Sequence, residues 1–247
     1  MRLARTRFAR DIVAEYYMPK RPSSKVIIFS TGMPSMPRYQ HIVEFYGKLG
    51  YWVFFPRYRG SWESGGKFLR ISPERDILDI IDQLPKGFTD SLTRKKIKIK
   101  PEEIFLMSGS FGGPAVILAS RDKRVTKVVA RCPIVDWLSP SKDEPTIEYE
   151  GILRETFGDA YRFSHRDWQK LSTGKFYNPA AVSKDIDGSK LLLIHAKDDT
   201  IVSYRSVKKF AAETGSRLVT LPRGGHLSSK IFLQPRFVKM ITKFFKE

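Results

Sequence analysis

Ser110 sits at the centre of Ser108-Gly109-Ser110-Phe111-Gly112-Gly113. The apolar run Ile104-Phe105-Leu106-Met107 precedes it, and Pro114-Ala115-Val116-Ile117-Leu118-Ala119 follows. That order reads as a strand, a sharp turn and a buried helix. Such a turn lifts a serine hydroxyl clear of a sheet, provided that the residues two before and two after are small. Gly112 meets that demand. Ser108 stands where glycine is usual and is still small. A phosphate-cradling loop is also glycine-rich, but it needs a lysine after its last glycine. Here Pro114 follows Gly113. The segment therefore points to a nucleophilic serine.

A serine hydroxyl becomes a useful nucleophile only when a base takes its proton. A histidine base in turn needs a carboxylate to fix its tautomer. Of four histidines, His41 lies on an amphipathic segment and His165 in a polar, aromatic stretch. His195 ends an apolar strand, where packing is the expected role. His226 follows a strand through Leu221-Pro222-Arg223-Gly224-Gly225, a loop able to reach across strand ends. Asp198 and Asp199 follow the strand at 191–194, and on spacing either could serve. Asp136, after the preceding strand, is a third candidate. The single cysteine, Cys132, has no internal disulfide partner, and no zinc-type Cys/His spacing occurs.

Apolar runs at 12–18, 26–29, 52–55, 104–107, 125–130, 191–194 and 217–220 read as strands. Between them, apolar residues recur at helical spacing over 39–49, 77–84, 207–214 and 237–244. Continuous apolar strands alternating with helices predict a mostly parallel sheet covered on both faces. The length suits one α/β domain, residues 1–247. Residues 137–188 break the rhythm, being long, polar and rich in aromatics such as Trp137, Tyr149 and Trp168. An insertion of that length predicts a cap or lid whose aromatic residues form a substrate pocket over Ser110.

On these motifs the chain resembles the α/β-hydrolase superfamily, and within it the prolyl-oligopeptidase-like and dienelactone-hydrolase-like serine hydrolases. Ser110-Phe111-Gly112-Gly113 is similar to the family's nucleophile elbow. Arg59-Gly60-Ser61-Trp62-Glu63-Ser64-Gly65-Gly66 is similar to its Arg-Gly-x-Gly-x-Ser-x-Gly loop, and Cys132-Pro133-Ile134-Val135-Asp136-Trp137 to the segment that opens its cap. His195-x-x-x-Asp199-x-x-Val202 matches its acid motif, with Ala196 replacing glycine, and Gly225-His226 matches its histidine. The resemblance implies an α/β-hydrolase fold and a triad of Ser110, His226 and Asp199. It also implies an oxyanion hole made by the backbone N–H groups of Phe111 and Met33. Thr31-Gly32-Met33 stands where the family often has His-Gly-Gly. The implied reaction is acyl transfer from a small ester, a thioester or a short peptide, with no metal or organic cofactor. A prolyl-oligopeptidase-like peptidase and a non-catalytic binding protein on the same fold are the alternatives.

Lys and Arg number 44 against 26 Asp and Glu, a formal net charge of +18. Such a surplus attracts polyanions non-specifically. No nucleic-acid recognition motif accompanies it, so no specific nucleic-acid partner is expected. The run at 94–100 reads as a solvated connection at the sheet edge away from Ser110. Arg57 and Arg59 follow a strand and are expected near the mouth of the site, with Arg59 joining Trp137 and Trp168 as a substrate contact. No run of roughly 18 apolar residues occurs, so no membrane span is expected. The basic N-terminal stretch lacks the apolar core of a secretory signal. A cytoplasmic location is the expectation, and oligomeric state is not legible.

Overall fold

Strands that are apolar on both sides need cover on both sides, and that requirement shapes the architecture. A computed structural model describes residues 4–139 and 146–247. Its main sheet has eight strands in the order β1-β2-β4-β3-β7-β8-β9-β10. They are β1 (Ala4–Phe8), β2 (Ile12–Tyr17), β3 (Lys25–Phe29), β4 (Trp52–Pro56), β7 (Glu103–Gly109), β8 (Val125–Arg131), β9 (Leu191–Ala196) and β10 (Arg217–Leu221). From β4 to β10 every pairing is parallel, and β1 and β2 join antiparallel at one edge. The mostly parallel sheet predicted from the sequence is the one observed.

Alternate residues of each strand enter opposite layers, as the period-two pleat requires. Ile27, Val53, Phe105, Leu192 and Ile194 pack under α1 (Gln40–Lys48) and α7 (Pro235–Phe244). Val26, Ile28, Leu106, Leu191 and Leu193 face the opposite layer. That layer holds α2 (Glu74–Gln83), α3 (Gly112–Ala119) and α6 (Tyr204–Thr214). The helix α3 is buried all round, as a helix placed between the sheet and other elements must be.

Two regions depart from the sequence expectation. β1 lies in the basic N-terminal stretch, where Thr6 and Phe8 are buried while Arg5 and Arg7 project to solvent. Its alternation is short, and the arginines conceal it. Within 88–100 a small antiparallel pair forms from β5 (Phe88–Thr89) and β6 (Lys96–Ile97). Phe88 and Ile99 are buried there, so the charge run is only partly a solvated connection.

The segment between β8 and β9 carries α4 (Thr146–Phe157), α5 (His165–Gln169) and several 3₁₀ turns. Residues 140–145 of the predicted cap lie outside the described residues. Backbone bonds tie this segment to the loop after β4. Trp62 N–H donates to Ala160 O at 2.8 Å and Phe68 N–H to Arg162 O at 2.8 Å. Among the described residues no helix is long and apolar enough to cross a membrane.

Arg59 begins that same loop but turns onto α2. Its guanidinium bonds Asp76, meets Asp79 at 2.7 Å and lies 3.5 Å from Asp11. Burial pushes the Asp76 carboxyl up to about 6, against the pull of the Arg59 N–H and charge. Removing one partner of a buried ion pair strands the other, at a cost of about 3–5 kcal/mol. Arg59→Ala should therefore lose stability of that order in urea unfolding followed by circular dichroism. A loss under about 1 kcal/mol would show that the cluster does not hold α2 in place.

Candidate active site

The site is assembled at the C-terminal ends of the parallel strands, where loops from several strands meet. Ser110 follows β7 with φ +54, and its neighbour Phe111 caps α3. Its backbone is clamped from both sides. Ser110 N–H donates to Arg131 O at 3.0 Å and Cys132 O at 3.1 Å, and Ser110 O accepts from Gly113 N–H at 2.9 Å. A Cβ at position 112 would sit 2.1 Å from Ser108 Oγ and 2.3 Å from Thr31 O, so only glycine fits. Ser108, the departure from the usual elbow, is put to use. Its hydroxyl donates to Ser30 O at 2.9 Å and ties the elbow to the loop after β3.

That loop runs close beside the serine. A Cβ added to Gly32 would lie 3.1 Å from Ser110 Cβ. Met33 follows, buried, and its side chain shares a cavity with Ser110 and Phe111. Phe111 precedes the first turn of α3, where backbone N–H groups have no intrahelical partner. The N–H of Phe111, with that of Met33 on the neighbouring loop, is thus the candidate pair of oxyanion donors.

Asp199 follows β9 and is almost fully buried. Its Oδ1 accepts from the N–H groups of Ile201 and Val202, each at 3.0 Å. Its Oδ2 lies 3.0 Å from His226 Nδ1. Because a carboxylate accepts, Nδ1 carries the proton of this contact, which in the neutral ring leaves Nε2 as the acceptor. Burial raises the Asp199 pKa, but the His226 bond, the Val202 N–H and the Cys132 thiol together hold it below the ordinary value. No hydrogen bond joins His226 Nε2 to Ser110 Oγ among the described residues. In serine enzymes that contact commonly tightens only with substrate in place.

The three aspartates separate cleanly. Asp199 meets His226. Asp198 is exposed and instead accepts the N–H groups of Gly224 and Gly225, at 3.1 and 2.8 Å. It pins the backbone of the histidine loop from one side, and Arg131 bonds Leu227 O from the other. Asp136 faces the cavity beside Ser110, and none of its hydrogen bonds goes to His226. The holding role of Asp198 was hidden in the sequence, although the Asp-Asp pair and the Gly-Gly pair were both visible.

The cavity has a volume of about 60 Å³. Trp137, Tyr149 and Trp168 from the segment after β8 line it together with Ser110 and Met33. Trp137 is oriented by an indole N–H donated to Tyr177 O at 2.7 Å, and Trp168 packs on Phe163 at 5.3 Å. Arg59 is not among the lining residues, contrary to the sequence expectation, because α2 offers it two carboxylates. Arg57 is likewise turned away, buried against Glu15 at 2.9 Å. His165 meets Glu150 at 2.7 Å and Gln169 at 2.7 Å on the exposed face of the same segment.

Beneath Asp199 lie Cys132 and His195, whose ligand-type atoms and those of Asp199 fall within 4.8 Å of one another. A metal there would need a thiolate. Burial and the neighbouring carboxylate push the Cys132 thiol up to about 12, so it stays protonated and donates to Asp199. His195 Nε2–H donates to Val202 O at 3.0 Å and lies 3.3 Å from Asp199 Oδ2. Burial lowers its pKa and keeps it neutral. The donor set fits support of a carboxylate better than a metal.

The pattern of the prolyl oligopeptidase family matches residues 37–247. The chain belongs to that family. It is accordingly a serine hydrolase with the α/β-hydrolase fold. Among curated proteins none matches it. An esterase of Pyrococcus furiosus superposes with a TM-score of 0.68 at 18% identity, over 99% of this chain and 89% of that one. Est1E of Butyrivibrio proteoclasticus, solved with ferulic acid bound, gives 0.65 at 16% identity over 98% and 99%. The acylaminoacyl peptidase of Pyrococcus horikoshii gives 0.65 at 18% identity, over 99% of this chain but 41% of that one. At these identities the likenesses speak to the fold.

If Asp198 pins the histidine loop of this family member, Asp198→Ala should free two amides. The Gly224 and Gly225 N–H groups should exchange with solvent at least tenfold faster, while the amides of β9 exchange as before. Unchanged exchange at both glycines would remove Asp198 from this role.

Proposed function

We propose that the chain hydrolyses esters of small carboxylic acids through an acyl-enzyme on Ser110. His226 Nε2 takes the Ser110 proton as Oγ bonds to the carbonyl carbon. The bond to the leaving alcohol then breaks, and His226 returns the proton to that oxygen. Water, deprotonated in turn by His226, attacks the acyl carbon; the bond to Ser110 Oγ then breaks, Oγ takes the proton back from His226, and the acid leaves. Asp199 keeps Nδ1 protonated and stabilises the imidazolium. The negative charge on the tetrahedral oxygen meets the N–H groups of Phe111 and Met33. In this reading residues 137–188 form the cap of a single domain, and Trp137 and Trp168 border the acyl pocket. Thioesters and short amides would follow the same route.

The observation that carries the proposal is the pairing of a serine at φ +54 ahead of α3 with the Asp199–His226 contact of 3.0 Å at the same edge of the sheet. A cavity of about 60 Å³ suits a short acyl group, since a single water needs about 10–15 Å³ in that measure.

An active-site phosphonate should label the native protein, and Ser110→Ala should lose both labelling and p-nitrophenyl butanoate hydrolysis. Losing a triad serine costs on the order of 10⁴-fold or more in turnover. A folded Ser110→Ala with full activity would end the proposal. Asp199→Asn should fall by up to roughly 10⁴-fold, because His226 would then be held in the wrong tautomer. Asp198→Asn, which keeps an acceptor for the loop, should stay well above that. The reverse order, with Asp198→Asn dead and Asp199→Asn active, would move the acid one residue earlier.

A further inference from the structure

We propose that the cavity beside Ser110 takes a cationic amine, so that the acyl groups this site prefers end in an ammonium. This rests on the acyl-transfer role of Ser110. The chain carries 18 more positive than negative charges, and its buried carboxylates are largely taken up by them, as Asp76 is by Arg59 and Glu15 by Arg57. Asp136, half-buried at the cavity wall, meets no Lys or Arg among the described residues. Its Oδ1 accepts from Leu138 N–H at 3.1 Å and Asn178 Nδ2 at 3.2 Å, and its Oδ2 from the Ser139 hydroxyl at 3.4 Å. All three donors are neutral. No Lys, Arg or His is among the described residues that line the cavity. A carboxylate held at a cavity wall by a few neutral donors retains lone pairs for a cation.

The rest of the lining fits the same ligand. Trp137, Tyr149 and Trp168 border the space, and the faces of such rings attract ammonium groups. The indole of Trp137 is fixed by its bond to Tyr177 O and by contact with Phe111 at 6.0 Å, so it needs little reorganisation to receive a ligand. Phe111 is also the residue whose N–H faces the reacting carbonyl in the proposed mechanism. Asp136 and Ser110 line the same cavity of about 60 Å³, which calls for a short spacer between ammonium and carbonyl. The cavity admits a handful of non-hydrogen atoms, enough for two methylenes and a nitrogen.

The test compares two 4-methylumbelliferyl esters of equal acyl length, β-alanyl and butanoyl, which differ by an ammonium in place of a methyl. The native protein should give a kcat/KM at least tenfold higher for the β-alanyl ester after subtraction of spontaneous hydrolysis. Asp136→Asn should reduce that ratio tenfold or more, and Asp136→Glu should recover part of it. Propylammonium should compete with the butanoyl ester on the native protein, and propanol at the same concentration should not, a comparison that needs no variant. Calorimetry with propylammonium on Ser110→Ala separates the two proposals, because that variant binds without turning over. Saturable binding there supports the amine site even if neither ester shows Ser110-dependent turnover, in which case the acyl-transfer mechanism is what fails. Equal or inverted ester preference in the native protein, or a ratio untouched by Asp136→Asn, or no propylammonium binding, would overturn the amine site.

Discussion

At Ser110 the backbone takes φ +54, a conformation that costs an L-residue about 1–3 kcal/mol and persists only where its surroundings over-determine it. Here they do. The Ser110 N–H is held by two carbonyls at the end of β8, its carbonyl accepts from the first turn of α3, and the chain two residues on runs against Thr31 O and Ser108 Oγ. The strain aims the hydroxyl away from the sheet. Beside it the Ser108 hydroxyl ties in the loop after β3, and Phe111 stands ahead of the first turn of α3. The candidate nucleophile and its candidate oxyanion donors thus sit within one local geometry.

The second convergence is on Asp199. A buried carboxylate requires donors, and this one has the Ile201 and Val202 N–H groups, the Cys132 thiol and the His226 ring, with His195 close by. The donors come from three strand ends, so the acid is fixed relative to the sheet and not merely to its own loop. His226 comes from the loop after β10. That loop is fastened on both sides, by Asp198 at Gly224 and Gly225 and by Arg131 at Leu227.

Much of this was written in the order of residue types. The parallel strands were legible because each is apolar on both faces, and Ser110, Asp199 and His226 stood out as candidates because each follows a strand in a distinctive motif. The pocket aromatics were legible as a break in the α/β rhythm. What was not legible depended on partners far apart in the chain. Arg59 follows a strand end and so was placed at the site, yet Asp76 and Asp79 lie on a helix close enough to claim it. β1 was concealed because two arginines occupy its solvent face. Asp198 and Asp136 could not be told from Asp199 by spacing, since their roles are set by which backbone and which cavity each one meets.

The most direct measurement of the central claim is a crystal structure of the protein inactivated by a small alkyl phosphonate. Phosphorus should be bonded to Ser110 Oγ. Its phosphoryl oxygen should lie about 3 Å from the backbone nitrogens of Phe111 and Met33, with His226 Nε2 within hydrogen-bonding reach of the ester oxygen. A phosphonate attached to another residue, or a phosphoryl oxygen directed away from Phe111, would contradict the assignment of the nucleophile and its oxyanion hole.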